Sequence, residues 1–89
     1  MTLHTLLALY YLCDQTAAQR LLSRQEAAQC MAHYEQVKLS FIEESPARPG
    51  TPERVVQNRA AYAAFKAWEA ANADHVQRLK SDARRRITP

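Results

Sequence analysis

Ser45-Pro46-Ala47-Arg48-Pro49-Gly50-Thr51-Pro52 carries three of the chain's four prolines and its only glycine. Each residue ahead of a proline is pushed out of the α region, so a helix must stop before this stretch, near Glu44. At its far end Thr51 offers an N-cap oxygen, and Pro52 suits the first helical position, where a missing N–H costs nothing. The main loop is therefore expected at 45–51. A second boundary lies upstream at Ser23-Arg24-Gln25-Glu26, an S-x-x-E capping box in which Ser23 accepts from the Glu26 N–H and Glu26 reaches back. Together these signals predict three helices, at about 2–22, 24–44 and 52–86.

Apolar residues recur at helical spacing in each segment. The first carries Leu3, Leu6, Leu7, Tyr10, Cys13, Ala17 and Leu21, and the second Ala27, Cys30, Met31, Tyr34, Val37, Lys38 and Phe41. The third carries Val55, Tyr62, Phe65, Trp68, Asn72, Val76, Leu79 and Ala83, with eight alanines between Ala60 and Ala73 that favour helix and close approach. No strand pattern competes. The expected fold is all-α, a small three-helix bundle without β-sheet: an antiparallel helix pair plus a long C-terminal helix, forming one domain over 1–89. Asp14 could also cap a separate short helix from Gln15, which would make four. A straight third helix would extend about 52 Å against about 30 Å for the others, leaving Val76, Leu79 and Ala83 uncovered unless it bends, dimerises or takes a partner. Leu9, Tyr11 and Leu12 fall off the first helix's main stripe, which suggests contact with something larger.

Eighty-nine residues at 10.1 kDa, 47% apolar and 24% charged, suffice for one core but a marginal one. The net charge of +3 is uneven. Residues 1–50 hold four bases and five acids, whereas 51–89 hold eight and four, with Arg78, Lys80, Arg84, Arg85 and Arg86 in the basic tail, 78–89. Glu43 and Glu44 would sit at the C-terminal end of the second helix, against the macrodipole, as if to meet that tail or a partner. The apolar opening lacks the basic n-region and cleavage pattern of a signal peptide and is too short to span a bilayer, so a cytoplasmic protein is expected, with a periplasmic one as the alternative.

One glycine supplies neither a P-loop nor a dinucleotide turn, which excludes the common nucleotide-binding enzymes. Cys30 and His33 share a helix face, but His4 and His75 are remote, so neither a metal site nor a nucleophilic dyad is expected, and no cofactor. Cys13 and Cys30 flank the first helix junction. They read either as a disulfide closing the pair or as two buried thiols, the register about the junction being offset by about 4 to 5 Å.

Leu21-Leu22-Ser23-Arg24-Gln25-Glu26-Ala27-Ala28 resembles the start of helix-turn-helix modules of the excisionase type. The likeness covers eight residues, and it implies DNA binding with the helix from Arg24 as reader; where that family turns, Cys30-Met31-Ala32-His33-Tyr34 continues a helix. The leading expectation is a non-enzymatic interaction protein that binds a protein partner or itself. Leu9, Leu12, Val76 and Leu79 would supply contact area, and the basic helix end would steer it to an acidic surface. Two alternatives stand beside it: a nucleic-acid-binding regulator that clamps phosphates with the basic tail, and a periplasmic or secreted domain stapled by Cys13–Cys30.

Overall fold

The computed structural model describes residues 2–87. It is all-α, with α1 at Leu3–Gln19, α2 at Arg24–Leu39, α3 at Pro52–Ala71 and α4 at Ala73–Ile87. Thr88 and Pro89, the end of the expected basic tail, lie outside the described residues, as does Met1.

Both predicted caps form. The Ser23 hydroxyl accepts from the Glu26 N–H at 3.1 Å while Glu26 Oε1 accepts from the Ser23 N–H at 2.9 Å. Thr51 Oγ1 accepts from the Arg54 N–H at 3.2 Å, with Pro52 at the start of α3. Glu26 has a further partner, because Arg20 donates from Nη1 and Nη2 to its two carboxylate oxygens at 2.9 and 2.6 Å. These bonds, the Arg20 pair first, hold the Glu26 carboxyl down at about 2.

α1 ends at Gln19, one turn short of the expected Leu22, because Arg20 is extended and reaches forward to Glu26. That early stop removes the register offset between the cysteines. Cys13 lies six residues before the end of α1 and Cys30 six after the start of α2, so the antiparallel hairpin brings their Cα atoms to 5.7 Å and the disulfide forms. The Asp14 alternative is overturned, since α1 is continuous through it.

α2 also stops early, at Leu39. Ser40 caps it, its hydroxyl donating to the Gln36 carbonyl at 2.9 Å, and a tight turn swings Phe41 inward against Phe65 and Trp68, at ring-centroid distances of 5.6 and 6.1 Å. Glu43 and Glu44 thus lie beyond the helix, exposed, and the expected conflict with its macrodipole does not arise.

The larger correction concerns the third segment. A helix over 52–86 breaks at Asn72, so the bundle has four helices rather than three. Asn72 leaves helical geometry (φ −123°, ψ 38°), its side-chain NH2 donates to the Trp68 carbonyl at 2.9 Å, and its own carbonyl accepts the Val76 N–H at 3.0 Å. One residue therefore ends α3 and begins α4, as a short amide side chain that competes for backbone groups can do. Asp74 in the first turn of α4 and Arg84, Arg85 and Arg86 in its last complement the new helix's dipole.

The bend lays α4 parallel to α1. His4 faces His75 with ring centroids 5.9 Å apart, Tyr11 faces Lys80, and Gln15 accepts from Arg84 at 3.4 Å. Val76, Leu79 and Ala83, the stripe a straight helix would leave bare, close on a core that includes Leu6, Leu7 and Tyr11. Tyr11, expected off the stripe, is fully buried. Its hydroxyl donates to Glu69 Oε2 at 2.6 Å, linking α1 to α3. α3 packs on α2 and reaches α1 through long side chains such as these, so much of its surface stays open.

Candidate docking surfaces

Of the side chains expected to bind a partner, Val76 and Leu79 are only 5% and 6% exposed. Their apolar area is spent inside the chain and cannot serve a docking face without unfolding α4. Leu9 and Leu12 are half-buried and line a groove of about 370 Å³ between α1 and α2, beside the disulfide and His33. The four leucine and valine side chains are not brought together: two belong to the core and two to this groove.

The apolar residues that remain exposed are others, first among them Leu21, which the sequence placed on the first helix's inward stripe but which lies beyond the end of α1 at 93% exposed. Val55, Val56 and Tyr62 on α3 are 48, 66 and 51% exposed, and Met31 on α2 is 61% exposed. The sequence placed Val55, Tyr62 and Met31 on inward stripes. Val55 and Tyr62 miss the core because the inward face of α3 is set by Ala61 and Phe65, the latter fixed by Tyr10 at 5.5 Å and by Phe41, while α2 turns Val37 inward in place of Met31. The signal that could have found them is the width of the α3 apolar surface, which runs round more than one face.

Between α2 and α3 lies a groove of about 440 Å³ lined by Tyr34, Lys38, Val55, Asn58, Arg59 and Tyr62. Tyr34 is held from behind by stacking on Tyr10, at 5.5 Å, and Lys38 Nζ sits 4.7 Å from its ring centroid. Glu35 fixes the upper lip by pairing with Lys38 at 2.8 Å and Arg54 at 3.2 Å. Those hydrogen bonds, Lys38 first, keep the Glu35 carboxyl below its ordinary range despite partial burial. Arg54 also donates to the Ala47 carbonyl at 2.7 Å and to Asn58 Oδ1 at 3.3 Å, tying the proline-rich loop to the groove. Glu35, held on Lys38, is the carboxylate at its edge, and none is among the side chains that line it.

A second surface is electrostatic. Arg78, Arg84, Arg85 and Arg86 are all exposed, while Lys80 is half-buried and lies over the Tyr11 ring at 5.9 Å. Asp82 pairs with Arg85, and Arg84 bonds to Gln15 and Ser81, so the basic cluster lies along a packed helix and does not protrude as a tail.

Within the fold, Tyr11 and Glu69 form the most perturbed pair. Burial, followed by the bond to Glu69, pushes the Tyr11 hydroxyl well up, and burial beside Asp14 lifts Tyr10 to about 12. Burial also pushes the Glu69 carboxyl up, but the bonds from Lys66, at 2.7 Å, and from Tyr11 outweigh it and hold it below its usual range. Both tyrosines stay protonated and serve packing. Among the described residues no three His, Cys, Asp or Glu side chains converge to hold a metal, and no helix is long and apolar enough to cross a membrane. No protein-family model, curated protein or solved structure matches the chain.

Proposed function

We propose that this chain is a non-enzymatic helical interaction module, stapled by its disulfide, that docks a protein partner through the exposed face of α2 and α3. One observation carries the reading. After Val76, Leu79 and Tyr11 are taken into the core, Val55 and Tyr62 stay exposed while lining an aromatic, cation-lined groove, and Val56 and Met31 stay exposed elsewhere on α3 and α2. Tyrosine, methionine and arginine are the residue types enriched where proteins bind one another. This relocates the docking face from Leu9, Leu12, Val76 and Leu79. The disulfide supports an oxidising compartment, periplasmic or extracellular, over the cytoplasmic expectation, because such bridges persist where thiols are not kept reduced.

The test is affinity purification of wild type and Tyr62→Glu from their native source, with thermal melts on both. A protein retained by wild type, lost from the variant and unaffected by Arg85→Glu is expected. Identical retention by two equally folded proteins would overturn the reading.

The exposed arginines of α4 favour a second reading, phosphate binding to nucleic acid. Fluorescence anisotropy with a labelled DNA duplex tests it. Binding that weakens steeply with added salt and is lost in Arg84→Glu/Arg85→Glu would support it, and no binding at low salt would remove it.

A further inference from the structure

On α3, Val55, Arg59, Tyr62 and Lys66 follow one another at i, i+4, i+7 and i+11, which places them on one stripe of the helix. All four are exposed. The stripe alternates apolar and cationic side chains over roughly 16 Å at 1.5 Å per residue, a run of three turns. Val55, Arg59 and Tyr62 of the stripe form one wall of the α2–α3 groove, whose other wall is Tyr34 and Lys38, while Lys66 lies one turn beyond it. Glu53 is on the far side of α3 from Val55 by the helical period, and Glu35 and Glu69 are already committed to Lys38, Arg54, Lys66 and Tyr11. Arg59 forms no ion pair among the described residues.

Resting on the docking reading above, we propose that the occupant of this groove is an acidic amphipathic helix of a partner protein. Its apolar residues seat between Tyr34, Val55 and Tyr62, and its carboxylates meet Arg59, the groove cation that pairs with no acid among the described residues, and share Lys38 with Glu35. The alternation along α3 asks for the same alternation in the partner, apolar and acidic side chains at i, i+4 and i+7. Asn58, whose amide oxygen already accepts from Arg54, offers its NH2 to one more carboxylate. A second copy of this chain fits poorly. Two copies joined through α3 would bring both Arg59 side chains into one seam that supplies no free carboxylate, and like charges in a seam select against that pairing.

The test uses three synthetic helical peptides with the same leucine and phenylalanine face and a polar face of glutamate, glutamine or lysine. Each is titrated into the isotope-labelled, oxidised protein, and amide shifts are followed by NMR. The glutamate peptide is expected to shift Tyr34, Val55, Arg59 and Tyr62 and to bind at least about fivefold tighter than the glutamine peptide at low salt, the advantage shrinking at high salt. Arg59→Glu, on an exposed position that leaves the melt unchanged, should reverse the order in favour of lysine. Equal affinity of glutamate and glutamine peptides at the groove would overturn the acidic partner while leaving the docking face intact. Shifts confined to α4, or self-association through α3, would overturn it in favour of the basic helix or a dimer. If no peptide shifts the groove, the helical occupant is overturned, and the docking face stands or falls by the Tyr62→Glu purification.

Discussion

Removing the Cys13–Cys30 bridge should cost this fold a large share of its stability. The bridge joins positions 17 apart in sequence. For a loop of that length the chain-entropy description gives about 3 kcal/mol of stabilisation, through restriction of the unfolded chain. A domain of this size has roughly 5 to 13 kcal/mol in total, so the loss is a quarter or more. At about 4 to 8 °C per kcal/mol, the melting temperature should fall by about 12 to 25 °C. The assay is far-UV circular dichroism on oxidised wild type, on wild type in excess reductant, and on Cys13→Ala/Cys30→Ala, which separates bridge loss from reductant effects. The helical signal at low temperature should persist in all three, since Ser23, Thr51 and Asn72 still cap their helices. A fall of less than about 4 °C in both the reduced and the double-variant protein would refute the reasoning, because it would mean the hairpin is already closed in the unfolded chain.

Tyr11→Phe leaves Glu69 with Lys66 alone and should cost about 1.5 to 3 kcal/mol in chemical denaturation, the range for one hydrogen bond to a charged group. Leu79→Ala should cost about 2 to 4 kcal/mol and Leu79→Glu should unfold the chain, whereas Tyr62→Glu should stay within about 0.5 kcal/mol of wild type, by the same denaturant titration. Glu35 and Glu69 titrate below their ordinary range in the fold. Their stabilisation is therefore complete above the unfolded value of about 4.3 and is lost as pH falls through the lower folded values. Melts from pH 7 to 2 should accordingly be flat at first and drop below about pH 4.5, with Glu69→Gln showing a lower plateau and a shallower acid limb.

What the sequence reveals of this fold is concentrated where local chemistry decides. The caps at Ser23 and Thr51 act through side chains one turn away, and both are legible from spacing alone. The break at Asn72 is hidden among eight alanines of high helix propensity, and it follows from burial gained when Val76, Leu79 and Ala83 turn back onto α1, a tertiary term no local window contains. Asn72 followed by Asp74 is the one local trace, a helix stop beside a helix start. The disulfide depended on a single turn: ending α1 at Gln19 instead of Leu22 aligns two cysteines that a longer helix would misplace. The exposure of Val55 and Tyr62 was missed for the converse reason, since both have core spacing but α3 meets only α2 along most of its length. An inward stripe is legible from sequence; which of two adjacent stripes finds a neighbour is not.

Hydroxyl-radical footprinting of the oxidised protein, alone and in extract of its native source, tests the docking face most directly. Met31 and Tyr62 should be labelled readily in the purified chain and several-fold less in extract, while Tyr11, Phe65 and Leu79 stay protected in both. Unchanged labelling of Met31 and Tyr62 in extract, or protection appearing along α4 instead, would contradict a partner seated on α2 and α3.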